Sequence, residues 1–308
     1  MILAHTHTHP GHSGTGALGP VVAAAALLAA LAYLLAALRL RRRGDSWPRY
    51  RDASCVAGSA ALAYAFTGRL PGEPFTAHMA QHLTAAMAAP LLLILARPLT
   101  LTLRTVPPGP ARRSLLAVAH SRPATWLLFP PVAAVLDIGG LWLLYRTHLL
   151  VTTHHQPLLS TALHVHVIAA GLLFTFTICR LDPVRRRWNL AWRGSTLLAA
   201  GWAHAVLAKT LYATPPPGTT FTTGDRHTAS QLMYYGGDLV EIALATVLAA
   251  QWYTTAGRAR QRSQPSNTAA VHKPPTTAGS SVGADSHRTD GASRPRSRAT
   301  ADGANGTG

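Results

Sequence analysis

The sequence has few charged residues and even fewer acidic ones. Only 13% of its 308 residues are charged, roughly half of the ~25% typical of soluble domains. An ordinary water-soluble enzyme is therefore not expected. The 28 Lys and Arg against 11 Asp and Glu give a net charge of +17. Such an excess suggests nucleic-acid binding only where the basic residues lie on a folded polar domain.

Cysteine is also scarce. Cys55 and Cys179 are too few for a disulfide framework or a Cys-rich metal site. We interpret them as reduced packing residues at helix ends. The sequence has no Gly-rich phosphate loop, no internal repeat and no Ser/His/Asp arrangement of the nucleophilic type. These absences favour a protein that is not an enzyme, although they leave redox activity open.

Long apolar runs dominate the remaining sequence. A helix needs roughly 20 mainly apolar residues to span a bilayer, and residues 17–38 contain no charged residue at all. This run is too long for the apolar part of a signal peptide and no basic segment precedes it, so it predicts a retained helix. The first of the other six runs, residues 53–68, is short and rich in small residues, and a re-entrant or interfacial segment is its alternative. The six are residues 53–68, 77–96, 124–146, 158–179, 195–213 and 232–254.

The arginines give an independent test of these spans. Cytoplasmic loops of membrane proteins retain Lys and Arg, and 24 of the 28 basic residues fall in the first, third and fifth loops and the C-terminal tail. This alternation predicts an all-α, polytopic membrane protein, a seven-transmembrane-helix bundle with its N-terminus outside and its C-terminus inside. It also removes the nucleic-acid hypothesis, because topology alone accounts for the basic residues.

The predicted organisation has three parts. Residues 1–16 form a His-rich extracytoplasmic segment containing His5, His7, His9 and His12, which either binds Cu(II) or Zn(II) loosely or is a mobile polar terminus. Residues 17–256 form the transmembrane domain. Residues 257–308 lack hydrophobic periodicity, so they predict a disordered cytoplasmic tail. The tail is either a solvated segment with no specific role or a tether to anionic lipid or a partner.

Several ionisable side chains lie inside the predicted spans, where each charge costs at least ~2.5–3.5 kcal/mol. The histidines, together with the acids of the last span, fall in the outer half of the membrane when depth is counted along each helix. We expect the lysine to pair with one of the acids, as a structural ion pair or as part of a proton or cation path. The ionisable residues are His78, His82, His164, His166, His204, Asp137, Lys209, Asp238 and Glu241.

The histidines predict a metal site. His78 and His82 are four residues apart on one helical face, the spacing at which two imidazoles can share an ion. His164 and His166 diverge by about 200° around a helix, so we expect only one of them to face the interior. With His204 they predict an imidazole-rich site suited to copper or zinc. The alternative is that each is a hydrogen-bonded structural residue.

Four sequence segments together form a recognisable pattern. The first segment is His78-Met79-Ala80-Gln81-His82-Leu83 with Ala89-Pro90-Leu91-Leu92 and Arg97-Pro98-Leu99-Thr100. The others are His164-x-His166 leading to Gly171-Leu172-Leu173-Phe174, then Asp182-Pro183, and finally Gln231-Leu232-Met233-Tyr234-Tyr235-Gly236-Gly237-Asp238. Over roughly residues 45–254 they resemble one membrane family, the CtaG-type cytochrome c oxidase assembly factors.

The resemblance implies a protein of the bacterial plasma membrane that helps to mature a haem-copper terminal oxidase, plausibly by building or loading its copper centres. Its partners would be oxidase subunits during assembly, within the lipid bilayer and without nucleic acid.

Three other functions compete with this one. A b-type cytochrome would hold haem b between histidines such as His82 and His164. A copper or proton transporter would use the ionisable residues of the spans. A scaffold would use its polar groups only to join helices.

Overall fold

The computed structural model describes residues 18–182 and 188–263. Within these residues the regular secondary structure is all helical, with no strand, so the all-α prediction is confirmed. One π-helical segment, Leu83–Ala88, joins α3 to α4. The α-helices are α1 (Leu18–Arg42), α2 (Arg49–Thr67), α3 (Pro74–His82), α4 (Ala89–Leu95), α5 (Pro98–Thr105), α6 (Pro110–Ala119), α7 (Arg122–Leu127), α8 (Pro130–Arg146), α9 (Leu149–His155), α10 (Pro157–Cys179), α11 (Leu190–Ala213) and α12 (Thr223–Ser263).

Four helical segments among the described residues are long and apolar enough to cross a membrane. They are α1, the continuous run Pro74–Leu95, α10 and the part of α12 up to Arg258. Two of the other three predicted spans correspond to α2 and α11, whereas residues 124–146 are divided between α7 and α8 rather than forming one helix. Charged residues open α2, α8 has only 17 residues, and α11 carries a histidine and a lysine. Length and composition therefore support a membrane protein with four candidate spans, three fewer than the sequence predicts.

Pro90 explains the π-helical segment. Proline has no N–H to donate to the carbonyl four residues earlier, which here is Ala86, and its ring crowds that carbonyl. The helix responds by widening, so that the N–H of Ala89 donates to the carbonyl of Thr84, five residues back. Gly171 of α10 packs directly against this segment, since a Cβ at residue 171 would lie 2.0 Å from the Ala86 carbonyl oxygen. The π-helical turn and Gly171 together let α10 approach closely.

At one end of the protein, contacts join the loop after α1, α5 and the residues after α10. We call this the arginine-rich end. Arg104 Nη2 lies 3.0 Å from Asp45 Oδ1. The N–H of Thr100 donates to Asp182 Oδ1 over 2.8 Å. Thr100 of the segment Arg97–Thr100 quoted above and Asp182, which begins another quoted segment, therefore meet here.

A second set of contacts joins the end of the protein that the arginine distribution predicts to face outside, which we call the outer end. It is formed by the starts of α3 and α12 and the ends of α8 and α11. Arg146 donates to the Thr214 hydroxyl over 2.9 Å. Asp225 is 3% exposed, and its carboxylate accepts the N–H groups of Phe75 and Thr76, both over 2.8 Å. The first N–H groups of a helix have no partner within it, so Asp225 of α12 caps α3 from a different part of the chain.

Replacing Asp225 with alanine should destabilise the protein by about 3 kcal/mol. The variant leaves buried N–H groups of α3 without their acceptor, and each hydrogen bond to a charged group contributes about 1.5–3 kcal/mol. Thermal unfolding in detergent provides the measurement. Asp45→Ala is the control, because the Arg104–Asp45 pair is exposed and such pairs contribute about 0–1 kcal/mol. Equal losses in the two variants would contradict the capping role.

An apolar core holds four helices together near the outer end. Phe75 and Met79 of α3, Tyr145 of α8, Leu207 of α11 and Met233 of α12 are each 0% exposed and belong to one cluster. These contacts fix the relative positions of α3, α8, α11 and α12. The two histidines described next, one on α3 and one on α11, lie beside this core.

By its internal contacts the chain divides after Gln261. All the contacts given above belong to the first unit, Met1–Gln261. Of the second unit, Arg262–Gly308, only the last two residues of α12 are described. That helix runs to Ser263 and so continues past residue 256, where the sequence places the start of the tail. The His-rich segment 1–16 and the tail beyond residue 263 lie outside the described residues.

Candidate functional site

His82 and His204 form a buried pair contributed by different helices. His82 is the last residue of α3, where the π-helical segment begins, and His204 lies on α11. The two residues are 9% and 1% exposed. Their ring centroids are 6.4 Å apart and their planes are inclined by 31°. We call these two residues the His82–His204 pair.

The Nε2 atoms of both rings are buried and have no hydrogen-bond partner among the described residues. A buried polar group without a partner costs free energy in any protein, and more so where no water is available. Two such nitrogens on rings whose centroids are 6.4 Å apart are therefore an unusual arrangement for a purely structural pair of histidines. They are typical of a place where a ligand completes the bonding.

Glu241 of α12 lies on the other side of His204. Its Oε1 is 3.6 Å from His204 Nδ1, a distance longer than a hydrogen bond but close enough for a direct electrostatic contact. A carboxylate beside one ring nitrogen holds the imidazole in place and leaves the other nitrogen to bind a ligand. Glu241 therefore favours an arrangement in which Nε2 is the reactive nitrogen of His204.

Two glycines make room for these side chains, each on the helix opposite the group that it accommodates. A Cβ at Gly237 of α12 would lie 2.2 Å from His204 Cε1, and a Cβ at Gly201 of α11 would lie 2.2 Å from Glu241 Oε2. Real Cβ atoms do not approach other atoms so closely. The α11–α12 contact is thus built around the imidazole and the carboxylate, with a glycine facing each of them.

His78 and His164 lie around a cavity next to His82. The cavity has a volume of about 90 Å³ and is mostly apolar. His78 meets the ring of Tyr145 edge-on at 5.9 Å, and Nδ1 of His164 is 2.7 Å from the Ser160 carbonyl oxygen. The lining side chains include those of His78, His82, His164, Tyr145, Ser160 and Gln81. Three of the predicted histidines thus converge on one cavity.

His166 lies elsewhere. Its Nε2 is 3.2 Å from the Leu136 carbonyl oxygen, and Gly140 of α8 provides the space for its ring. The divergence expected from the two-residue spacing separates His164, at the cavity, from His166, against α8. His166 is therefore a histidine that packs between two helices, away from the His82–His204 pair.

The ion pair expected for Lys209 is not found among the described residues. Lys209 is exposed, and its Nζ lies 5.4 Å from the centroid of the Tyr234 ring. The physical reason is the helix period: five residues rotate Lys209 by about 140° from His204, so it faces away from Glu241. Asp137 and Asp238 are half-buried and take part in none of the ion pairs found in the described part of the chain.

Within the described ranges, no three His, Cys, Asp or Glu side chains are placed to hold one metal ion. The five predicted ligands His78, His82, His164, His166 and His204 are thus distributed over three places, and only two of them form the closely spaced buried pair. Cys55 and Cys179 are free and buried. The arrangement offers two imidazole nitrogens and one supporting carboxylate.

Sequence reasoning missed Gly201 and Tyr145. Gly201 lies three residues before His204 and Gly237 lies four residues before Glu241, so a glycine one turn before each polar group was a readable signal. Tyr145 has no such signal. Its hydroxyl is fully buried and has no hydrogen-bond partner among the described residues, which only the packing reveals.

The helices and the buried imidazole–carboxylate group define an all-helical membrane protein with a polar site between its helices. The chain belongs to the cytochrome c oxidase caa3 assembly factor family (Caa3_CtaG), whose model matches residues 31–255. The family resemblance seen in the sequence is therefore confirmed.

Three curated mycobacterial proteins are similar to the chain. It is 30% identical over 253 residues to uncharacterized protein Mb0105 of Mycobacterium bovis and to uncharacterized protein MT0111 of Mycobacterium tuberculosis. It is 26% identical over 254 residues to uncharacterized protein ML1998 of Mycobacterium leprae. Each alignment covers 75% of this chain and 38% of the relative, so the chain spans well under half the length of these proteins. No solved structure matches the chain.

Proposed function

We propose that this protein carries copper as cargo for the maturation of a haem-copper terminal oxidase, and that the His82–His204 pair is its binding site. Family membership supports the assembly role. The observation that carries the copper assignment is the pair of buried Nε2 atoms without a hydrogen-bond partner among the described residues. These are two nitrogen donors in a site that excludes water.

The spacing of the rings fits one shared ion. A metal–imidazole bond of about 2.0–2.1 Å puts the ring centre about 3.2 Å from the metal, so two imidazoles on opposite sides of one ion have centres about 6.4 Å apart. The observed centroid separation is 6.4 Å. Cu(I) is stable with two donors in a linear arrangement, and imidazole is a good ligand for copper. A two-donor site also suits cargo, because few bonds need to be broken on release.

The proposal includes the topology of seven spans with the N-terminus outside the plasma membrane. The arginine distribution supports it, and so do contacts that join α8, α11 and α12 beside the end of α10, where Arg193 donates to the Ile178 carbonyl. Phe129, before α8, lies 5.6 Å ring-to-ring from Trp192 at the start of α11. Arg193 donates to Gln251 of α12 over 3.0 Å. The helices α2, α8 and α11 would then cross by packing against more apolar neighbours, and the His82–His204 pair would lie in the outer half.

The haem-binding and transporter hypotheses fit the structure less well than a copper site does. A haem needs space for its macrocycle between two axial histidines, and the cavity beside His82 has about 90 Å³, well below the roughly 300–1,000 Å³ of small-molecule sites. A transporter needs polar groups continuing toward the cytoplasmic half. Lys209, the basic residue on which that hypothesis relied, faces away from Glu241.

Loss of either imidazole should abolish tight copper binding. In the full-length protein purified in detergent, His82→Ala and His204→Ala should each lower the affinity for Cu(I) by more than about 100-fold, because each removes a ligand. Glu241→Gln should lower it by about 10-fold, within the roughly 10–100-fold range for groups that support a ligand. Competition with a coloured Cu(I) chelator measures these affinities.

His166→Ala is the matched control, since it removes an imidazole from the same membrane half but away from the pair. It should bind Cu(I) like the wild type. The copper content and activity of the terminal oxidase in cells that carry each variant test the cargo role. Wild-type Cu(I) affinity in both His82→Ala and His204→Ala would exclude the proposed site, whereas normal oxidase copper in cells carrying non-binding variants would exclude the cargo function.

A further inference from the structure

A second polar site lies on the surface between α11 and α12, separate from the copper site. It is a groove of about 280 Å³ at the outer end of these helices. Gln231, Tyr234 and Tyr235 come from the segment Gln231–Asp238 that stands out in the sequence. Its lining residues are Ala208, Lys209, Tyr212, Ser230, Gln231, Tyr234 and Tyr235.

The groove contains donors of hydrogen bonds and one positive charge. Lys209 supplies an ammonium group, Ser230 and the tyrosines supply hydroxyls, and Gln231 supplies an amide. None of the lining residues is acidic. A cation surrounded by neutral donors, without a carboxylate, matches an anion with several acceptor oxygens, of which a phosphate is the typical example.

One lining group requires a ligand for its own bonding. Ser230 is 2% exposed, and its Oγ is buried with no hydrogen-bond partner in the described part of the chain. Lys209 takes part in none of the ion pairs among those residues, and its recorded contact is with the face of the Tyr234 ring. An anionic oxygen in the groove would satisfy the serine and the lysine together.

The position of the groove indicates where the anion comes from. Lys209 lies four residues before the end of α11 at Ala213, about 6 Å along the axis. Tyr212, the residue before the end of α11, is 42% exposed. An exposed tyrosine near the end of a membrane helix is typical of the level of the lipid headgroups. The phosphates of the outer leaflet lie at this level.

We propose that this groove binds the phosphate of an anionic phospholipid headgroup, with Lys209 and Ser230 as its main contacts. The lipid would neutralise the lysine at the membrane surface and occupy the outer face of the α11–α12 contact. The site does not depend on copper, because Lys209 points away from His204 and Glu241. An experiment can therefore refute lipid binding at the groove without refuting copper binding at the His82–His204 pair, and the reverse.

The test uses the full-length protein in detergent, titrated with phosphatidylglycerol and separately with phosphatidylcholine, with bound lipid counted by native mass spectrometry. Phosphatidylglycerol should bind more tightly than phosphatidylcholine. Lys209→Ala should weaken phosphatidylglycerol binding by about fivefold or more, as expected for one basic contact near a membrane surface. Ser230→Ala should also weaken it, and Lys209→Arg should retain it.

Arg146→Ala is the control, because Arg146 is a basic residue of the same outer end that is held by Thr214 and does not line the groove. It should bind lipid normally, and all variants should keep wild-type affinity for Cu(I). Three results would overturn the proposal. They are equal binding of the two lipids, undiminished binding by Lys209→Ala, and complete displacement of the lipid by inorganic phosphate at equal concentration. Binding of Lys209 only to an acidic membrane segment of an oxidase subunit, and not to lipid, would also refute it.

Discussion

Gly237→Ala is expected to remove copper binding and to destabilise the contact between α11 and α12. The new methyl group would lie 2.2 Å from Cε1 and 2.6 Å from Nδ1 of His204. Because the imidazole is 1% exposed and held between two helices, it has little room to rotate. Overpacking of this kind typically costs about 1–3 kcal/mol, and we expect Gly237→Ala to lower the free energy of unfolding by about 3 kcal/mol.

Thermal unfolding in detergent and the Cu(I) competition assay measure the two effects of Gly237→Ala. Gly257→Ala, on the same helix with no atom within 4 Å of the added Cβ, is the control and should be neutral or slightly stabilising. The double variant Gly237→Ala/His204→Ala gives a sharper test. Removing the ring removes the collision, so the double variant should regain much of the stability lost in Gly237→Ala while still failing to bind copper. A double variant no more stable than Gly237→Ala would show that the ring is not what the glycine accommodates.

Gly201→Ala provides a useful comparison with Gly237→Ala. Its Cβ would also lie 2.2 Å from another atom, but that atom is Glu241 Oε2, the far end of a flexible side chain. Glu241 can move away at small cost, so stability should fall less than in Gly237→Ala. Gly201→Ala should also lower the affinity for copper, because the displaced Glu241 carboxylate no longer lies beside His204.

Gly171→Ala should have the largest effect on folding. The added Cβ would lie 2.0 Å from the Ala86 carbonyl oxygen and 2.9 Å from its carbonyl carbon. Both are backbone atoms of the π-helical segment, which no change of rotamer can move. We expect α10 to separate from that segment, with a loss above about 3 kcal/mol and a low yield of folded protein.

The yield after size-exclusion chromatography and the unfolding temperature measure the effect of Gly171→Ala. Gly139→Ala is the matched control, since the nearest atom to its Cβ is Val135 Cγ1 of its own helix at 3.8 Å. It should fold like the wild type. A Gly171→Ala protein as stable as Gly139→Ala would mean that α10 does not depend on close approach to the π-helical segment.

Much of the architecture follows from the sequence because it depends on local composition. Uncharged runs of about 20 residues, such as residues 17–38, predict helices directly, and helices occupy most of each predicted span, although residues 124–146 are divided between α7 and α8. Pro90 also signals an interruption locally, within the predicted span 77–96. The three spans that fall short in length or hydropathy, α2, α8 and α11, are those whose stability depends on their neighbours.

The composition of the candidate site was predictable, but its assembly was not. The sequence identifies His82, His204 and Glu241 as ionisable groups at similar depth. It does not pair Glu241 with His204, and the expected partner Lys209 instead lies against Tyr234. Depth along a helix can be counted from its ends, whereas the direction in which a residue faces its neighbours depends on how each helix is rotated in the assembly.

The sequence by itself therefore determined the class of protein and its apolar helices, and it predicts a sidedness from the arginines and a set of histidines as candidate metal ligands. These properties depend on hydropathy, charge and the helical period, which are local. Only the tertiary structure decided that His82 meets His204, that Gly201 and Gly237 make room for Glu241 and His204, and that Lys209 belongs to an outer groove. Such contacts join residues far apart in the chain, and their distances are set by helix packing.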